Sequence, residues 1–244
     1  NLEGVSSTIS IDDFNGTIDA AADYSTIDIK RITKDVKMKC SSGHLDIDDI
    51  KGNLTLEADY STISAANIKG IVTIGSSSGK ILAKQVGGNH IDAPYSTIKI
   101  ETVNATGEAV FVKNSSGKIE ISNASGDVKI EDSYSKVHLS NILGNVNIDG
   151  EGTGVLGEKI TGNMLVRTEY ADVDVRELTA STVEISNKSS KVDIQLLTKP
   201  FKVEIVNEYG PVDITFPEYS GEVKLRVSYG TIKTNLAIEI EEIG

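Results

Sequence analysis

The sequence predicts an all-β fold, a single right-handed β-solenoid of about 13 rungs of ~18 residues, and three observations predict it. A short turn sequence recurs along nearly the whole chain. Between its copies, apolar and polar residues alternate with period 2. No window of a dozen residues carries the 3.6-residue pattern of an amphipathic helix.

The turns come first. Ser6-Ser7-Thr8-Ile9 is followed by Tyr24-Ser25-Thr26-Ile27, Ser42-Gly43-His44-Leu45 and Tyr60-Ser61-Thr62-Ile63. Ser78-Gly79-Lys80-Ile81, Tyr95-Ser96-Thr97-Ile98, Ser116-Gly117-Lys118-Ile119 and Tyr134-Ser135-Lys136-Val137 continue the series. From Tyr24 to Tyr134 the spacing is 18 residues, except for one step of 17 and one of 21. Looser copies start at Gly152, Tyr170, Ser190, Tyr209 and Tyr229.

The strands follow from the segments between turns. Ile119-Glu120-Ile121 and Val128-Lys129-Ile130 place apolar side chains on one face and charge on the other, the mark of half-buried strands. A second turn separates them, as in Asn123-Ala124-Ser125-Gly126, Ile50-Lys51-Gly52-Asn53 and Ile142-Leu143-Gly144-Asn145. Glycine there supplies either a positive φ or room for a close backbone approach.

The size of one coil follows from what must fill it. Tyr and Ser alternate at the first turn, so the sequence repeats fully only every 36 residues. A ring of 36 residues at ~3.3 Å each would enclose more space than one layer of Ile and Val can fill, because facing sheets pack ~10 Å apart. A coil of 18 residues with about six inward side chains closes without a void, leaving Tyr on every second rung. The right-handed sense follows from the crossover preference of parallel strands.

Residues 1–244 read as one domain, with regular repeats over 1–195 and a looser region at 196–244. Pro200, Phe201, Phe216 and Pro217 in that region predict a C-terminal cap, since proline blocks edge pairing. The N-terminal coil looks lightly capped, so self-association through solenoid ends is one expectation.

Composition narrows the function. The net charge is −12, with 36 acidic against 24 basic residues, which argues against nucleic acid and anionic lipid as partners. No segment predicts membrane insertion. Aromatic residues make up 5% and Trp is absent, so Ile, Val and Leu must fill the interior. The lone Cys40 shares the parity of Val36 and Met38 and is expected to point inward as an inert thiol.

The candidate binding residues are Tyr24, Tyr60, Tyr95, Tyr134, Tyr170 and Tyr209. Facing outward, they would line one edge as a stripe able to stack on sugar rings or pack on a protein. Facing inward, they would fill corners of the core and bond to neighbouring Ser or Asp. The adjacent Ser residues read as turn formers. Asp46, Asp48 and Asp49, like Glu169, Asp172 and Asp174, read as the solvated face of strands and match no calcium-loop signature. His44, His90 and His138 occupy non-equivalent repeat positions, so no metal site is expected. No cofactor and no catalytic residues are expected either.

The Tyr-Ser-Thr-Ile and Ser-Ser-Gly-Lys-Ile turns, each followed by a Gly-Asn or Gly-Asp corner and a Val-x-Ile strand, resemble the bacterial adhesin-like domain family of unknown function, from Ser6 to about Ile240. The resemblance implies an exported protein of the cell envelope or surface with a β-helical body, and brings no catalytic residues with it. Together these readings predict a non-enzymatic adhesin-like binding or structural protein with a glycan or envelope protein as partner. The alternatives are a polysaccharide-active β-helix enzyme and a self-assembling scaffold. The enzyme lacks support from aromatic seats and from arginine, of which only Arg31 and Arg167 precede residue 175.

Overall fold

A computed structural model describes residues 2–105, 108–218 and 222–237, with the side chains of Leu2 and Glu108 left aside. Its 24 strands are all parallel and run as one ladder in which each strand pairs with the strands one coil before and one coil after it. The architecture is a single β-solenoid of about 13 turns, with no helix among the described residues. Registers settle the coil size. Thr8 lies beside Thr26, Thr26 beside His44, and His44 beside Thr62, each a step of 18 residues.

One coil shows how the sequence makes three corners. Strand Thr26–Ile32 buries Ile27, Ile29 and Ile32, and strand Val36–Ser41 buries Val36, Met38 and Cys40. The alternation slips between Ile29 and Ile32, where two outward residues stand in a row. The second of them, Arg31, has a φ of 54°, and this left-handed step turns the chain while returning Ile32 to the interior. Asp13, Asp49, Asn67, Gln85, Thr102, Asn123, Asn141, Lys159 and Glu177 repeat it, with φ between 53 and 61°. This left-handed corner has its own sequence pattern, apolar-x-x-apolar, distinct from the glycine of the second turn that follows it.

The glycine corner works through contact. Gly52 has no positive φ; a Cβ there would lie 2.6 Å from the backbone carbon of Lys34 and 2.7 Å from the nitrogen of Asp35. Of the two roles open to these glycines, close approach is therefore the general one, and Gly162, at φ 149°, combines both. The following Asn or Asp bridges rungs through its side chain. Asn53 N–H donates to Asp35 Oδ1 at 2.7 Å, and Asn53 Oδ1 in turn accepts Ile71 N–H at 2.9 Å. Asp127, Asn145 and Asn163 form the same relay higher up. The irregular spacings of 17 and 21 fall at this corner, where Gly88 sits beside Ile71 and Val110 beside Asn89.

Six inward columns fill the coil. One reads Ile27, Leu45, Ile63, Ile81, Ile98, Ile119 and Val137, in which each side chain packs on the one a rung below. At ~25 cal/mol per Å² of apolar area, each such residue contributes about 2 kcal/mol, and no large aromatic is needed. Cys40 is buried in its column, as its parity implies.

The C-terminal cap expected over 196–244 takes a different form. Pro200 and Phe216 are buried, but Phe201 is exposed, and the strands Glu222–Tyr229 and Ile232–Thr234 extend the ladder by a further rung. Their inward residues Val223, Leu225 and Val227 are only half buried, like Ile9 and Ile11 at the other end. Asn235 closes part of this edge, its side chain accepting from Phe216 N–H at 2.9 Å and donating to Phe216 C=O at 2.7 Å. Residues 238–244 lie outside the described part.

Candidate functional site: the tyrosine edge

All six candidate tyrosines face solvent. Tyr24, Tyr60 and Tyr95 are 66–69% exposed, and Tyr134, Tyr170 and Tyr209 are 47–57% exposed. The placement that puts the rings in corners of the core is thus not the one adopted. At four of the six the residue after the tyrosine goes in instead: Ser25, Ser61, Ser96 and Ser135 are all buried.

These serines do more than form turns. Ser61 Oγ donates to the Asp59 carbonyl at 2.9 Å and accepts Gly43 N–H from the rung below at 3.1 Å. Ser25 does the same with the Asp23 carbonyl and Ser7 N–H. Each hydroxyl thereby satisfies a backbone donor and a backbone acceptor that the turn would strand inside the coil.

Higher up, the plug comes from the other side of the turn. Asn187 Nδ2 donates to the Ala171 carbonyl at 3.2 Å and Asn207 Nδ2 to the Ser190 carbonyl at 2.8 Å. In between, the buried carboxylate of Asp132 accepts from Ser135 N–H, Ser135 Oγ and Thr153 Oγ1 at 2.5–2.7 Å. Sequence inspection missed this polar column because Asn114, Asp132, Thr168, Asn187 and Asn207 sit at an inward parity that reads as solvent-facing whenever the residue is polar.

The stripe has two halves. Tyr24, Tyr60 and Tyr95 have φ of 53, 50 and 60°, a left-handed conformation that a bulky side chain seldom adopts. Ser42 holds the same conformation on an intervening rung, at φ 58°. Among the described residues, no other ring or cation lies against these three rings.

In the upper half the rings are engaged. Tyr134 lies over the next rung, where a Cβ on Gly152 would fall 2.5 Å from its ring, and a hydrogen bond to Glu151 raises its phenol pKa. The Lys188 ammonium stands 5.6 Å over the Tyr170 ring and 3.6 Å from Glu169. Tyr209 stacks on Tyr229 with ring centroids 5.0 Å apart, so the strict alternation of Tyr with small residues ends there. A shallow open depression of about 590 Å³ runs beside this half, lined by Asp149, Glu151, Arg167, Glu169, Lys188 and Glu208 among others.

The edge has a polar frame. Outward on one side stand Asp23 and Asp59, each beside its tyrosine. On the other side runs the exposed column Thr26, His44, Thr62, Lys80 and Thr97, in register from rung to rung. His90 instead packs against Phe111 at 4.7 Å, so the histidines remain apart. Some of the acidic residues face Lys or Arg: Asp28 and Asp46 lie 2.9 and 3.8 Å from Lys30, and Asp174 lies 3.1 Å from Arg176. Among the described residues, no group of His, Cys, Asp and Glu is arranged to hold a metal ion.

Comparison with known proteins adds a family and no relative: nothing matches among curated proteins or among solved structures. The family model described as Toastrack DUF4097 matches residues 90–243, more than half of the chain, and the ladder carries the same coil unbroken through residues 2–89. The chain belongs to the Toastrack DUF4097 family.

Proposed function

We propose that this chain is a non-enzymatic, adhesin-like binding protein of the bacterial cell envelope or surface, and that the tyrosine edge is its contact face. One observation carries the reading. Large aromatic rings stand exposed on every second rung, held at three positions in a backbone conformation that Asn or Gly would fill with less strain. Neither core packing nor turn preference accounts for Tyr24, Tyr60 and Tyr95, because the buried serine beside each of these three rings does the packing. Exposed polar-aromatic residues set on a rigid scaffold are the usual material of a recognition surface.

The test uses the whole chain and a triple variant, Tyr24→Ser, Tyr60→Ser and Tyr95→Ser, offered to envelope fractions of a bacterium that produces the protein. Binding of the parent chain that falls in the variant supports the reading. Equal binding by both, or recovery of the native protein from the cytosolic fraction alone, overturns it.

A further inference from the structure

Resting on that reading, we infer that the lower half of the edge, Tyr24, Tyr60 and Tyr95, is a site for an uncharged, linear β-1,4-linked polysaccharide lying along the solenoid axis. Three features of the edge select this ligand: its pitch, its charge and its unoccupied rings.

Pitch comes first. Adjacent rungs are ~4.8 Å apart, so tyrosines on alternate rungs repeat every ~9.6 Å. In a β-1,4-linked chain of hexoses each sugar advances by about one strand spacing, and successive rings flip. The same sugar face therefore returns every second residue, as the tyrosine returns every second rung. Sugars one, three and five of a chain can each lay their C–H face on Tyr24, Tyr60 and Tyr95. The small corner residues Ser42 and Ser78 leave space for sugars two and four. An α-1,4-linked chain coils and cannot hold that register over three rings.

Charge comes next. Carboxylates stand beside two of the rings on one side, at Asp23 and Asp59, while hydroxyls, an imidazole and one ammonium flank them on the other, at Thr26, Thr62 and Thr97, His44 and Lys80. An anionic polymer meets the carboxylates and a cationic one meets Lys80. A neutral polyol finds acceptors on one side and donors on the other, the pattern of an aromatic seat with a few polar groups fixing orientation. The third feature is occupancy: the upper rings are taken by Gly152, Lys188 and Tyr229, and the lower three are not.

Calorimetric titration of the whole chain with cello- and chito-oligosaccharides of three to six sugars tests this. Maltohexaose, oligogalacturonate and oligolysine serve as comparisons. Affinity should rise between the trimer, which spans two rings, and the pentamer, which spans three, and then level off. Tyr60→Ser should weaken pentamer binding roughly three- to tenfold, the worth of one aromatic stack. Phe201→Ser, which removes an exposed ring from a different corner, should leave it unchanged.

Failure of both β-1,4 series to bind, equal binding of maltohexaose, or indifference to Tyr60→Ser overturns the inference. Tyrosine-dependent binding of oligogalacturonate or oligolysine in place of the neutral chains also overturns it, while leaving the tyrosine edge standing as the contact face.

Discussion

Replacing Tyr60 by Asn should leave stability within about 1 kcal/mol of the parent chain, whereas replacing its small neighbour Ser61 by Ala should cost about 1–3 kcal/mol. The two residues adjoin, and the ordinary ranking by size would reverse them. Tyr60 is 69% exposed, so about a third of a side chain's ~200 Å² is covered, worth at most ~1.5 kcal/mol at 25 cal/mol per Å². Against this stands a φ of 50°, which costs an ordinary L-residue ~1–2 kcal/mol and costs Asn less. The two effects offset each other. Ser61 is buried, and its truncation strands Gly43 N–H and the Asp59 carbonyl, which its hydroxyl joins at 3.1 and 2.9 Å. Guanidinium unfolding followed by circular dichroism reads both variants, with the shift in midpoint taken at constant slope. A loss of 2 kcal/mol or more in Tyr60→Asn, with none in Ser61→Ala, would show that the ring holds the fold together. The case for a recognition role would then collapse.

Three further outcomes are expected. Gly144→Ala should destabilise by at least ~2 kcal/mol, because the new Cβ would lie 2.4 Å from the carbonyl carbon and oxygen of Gly126 and backbone cannot move aside; a midpoint within error of the parent would disprove the close-approach account of the glycine corner. The side chains of Lys99, Lys118 and Lys129 hydrogen-bond Glu101, Glu120 and Glu131 and hold these carboxyls below their ordinary 4.5. Since the folded values are depressed, the stability they add is present above about pH 4.5 and is lost as pH falls through the lower folded values, so the unfolding midpoint should drop below pH 4.5, and less so in a Lys99→Gln, Lys118→Gln variant. Cys40, buried and with its thiol pKa pushed up chiefly by that burial, should react with a thiol reagent only as the chain unfolds; prompt labelling of the native protein would contradict its inward placement.

What could be read in the sequence depended on whether a residue's role shows in its type and spacing. The 18-residue coil was legible because an 18-residue register keeps Ile27, Leu45 and Ile63 in one column, and a 36-residue ring would enclose more space than one layer of such side chains fills. The left-handed corner was not, because its ten residues include Arg31, Gln85, Lys159 and Glu177 alongside Asn and Asp, and no composition marks them. What marks it is the slip in alternation itself, from Ile29 across two outward residues to Ile32. The tyrosine edge was legible as a series and illegible as a surface. A Tyr-Ser pair at a turn allows either residue to enter the coil, and only the need to satisfy the buried turn backbone decides for Ser.

That choice also explains why the two halves of the edge differ. Up to Ser96 the polar plug is the serine after the ring, and the tyrosine before it has a positive φ, as Ser42 also has on an intervening rung. At Tyr170 the plug is Asn187 from the rung above, and at Tyr209 it is Asn207 on the preceding strand, which bonds the Ser190 carbonyl one rung below. The residue after the ring is then Ala171 or Gly210, and the ring's own backbone is absent from the left-handed region. Relaxed rings there lie down on neighbours: Tyr170 beneath Lys188, Tyr209 against Tyr229. Strained rings stand clear. Ser6 and Ser42 hold the same left-handed conformation on rungs without a ring, so the turn sets it. What distinguishes Tyr24, Tyr60 and Tyr95 is a large exposed ring placed there at a cost on the order of 1 kcal/mol, and the proposed contact role is what would account for it.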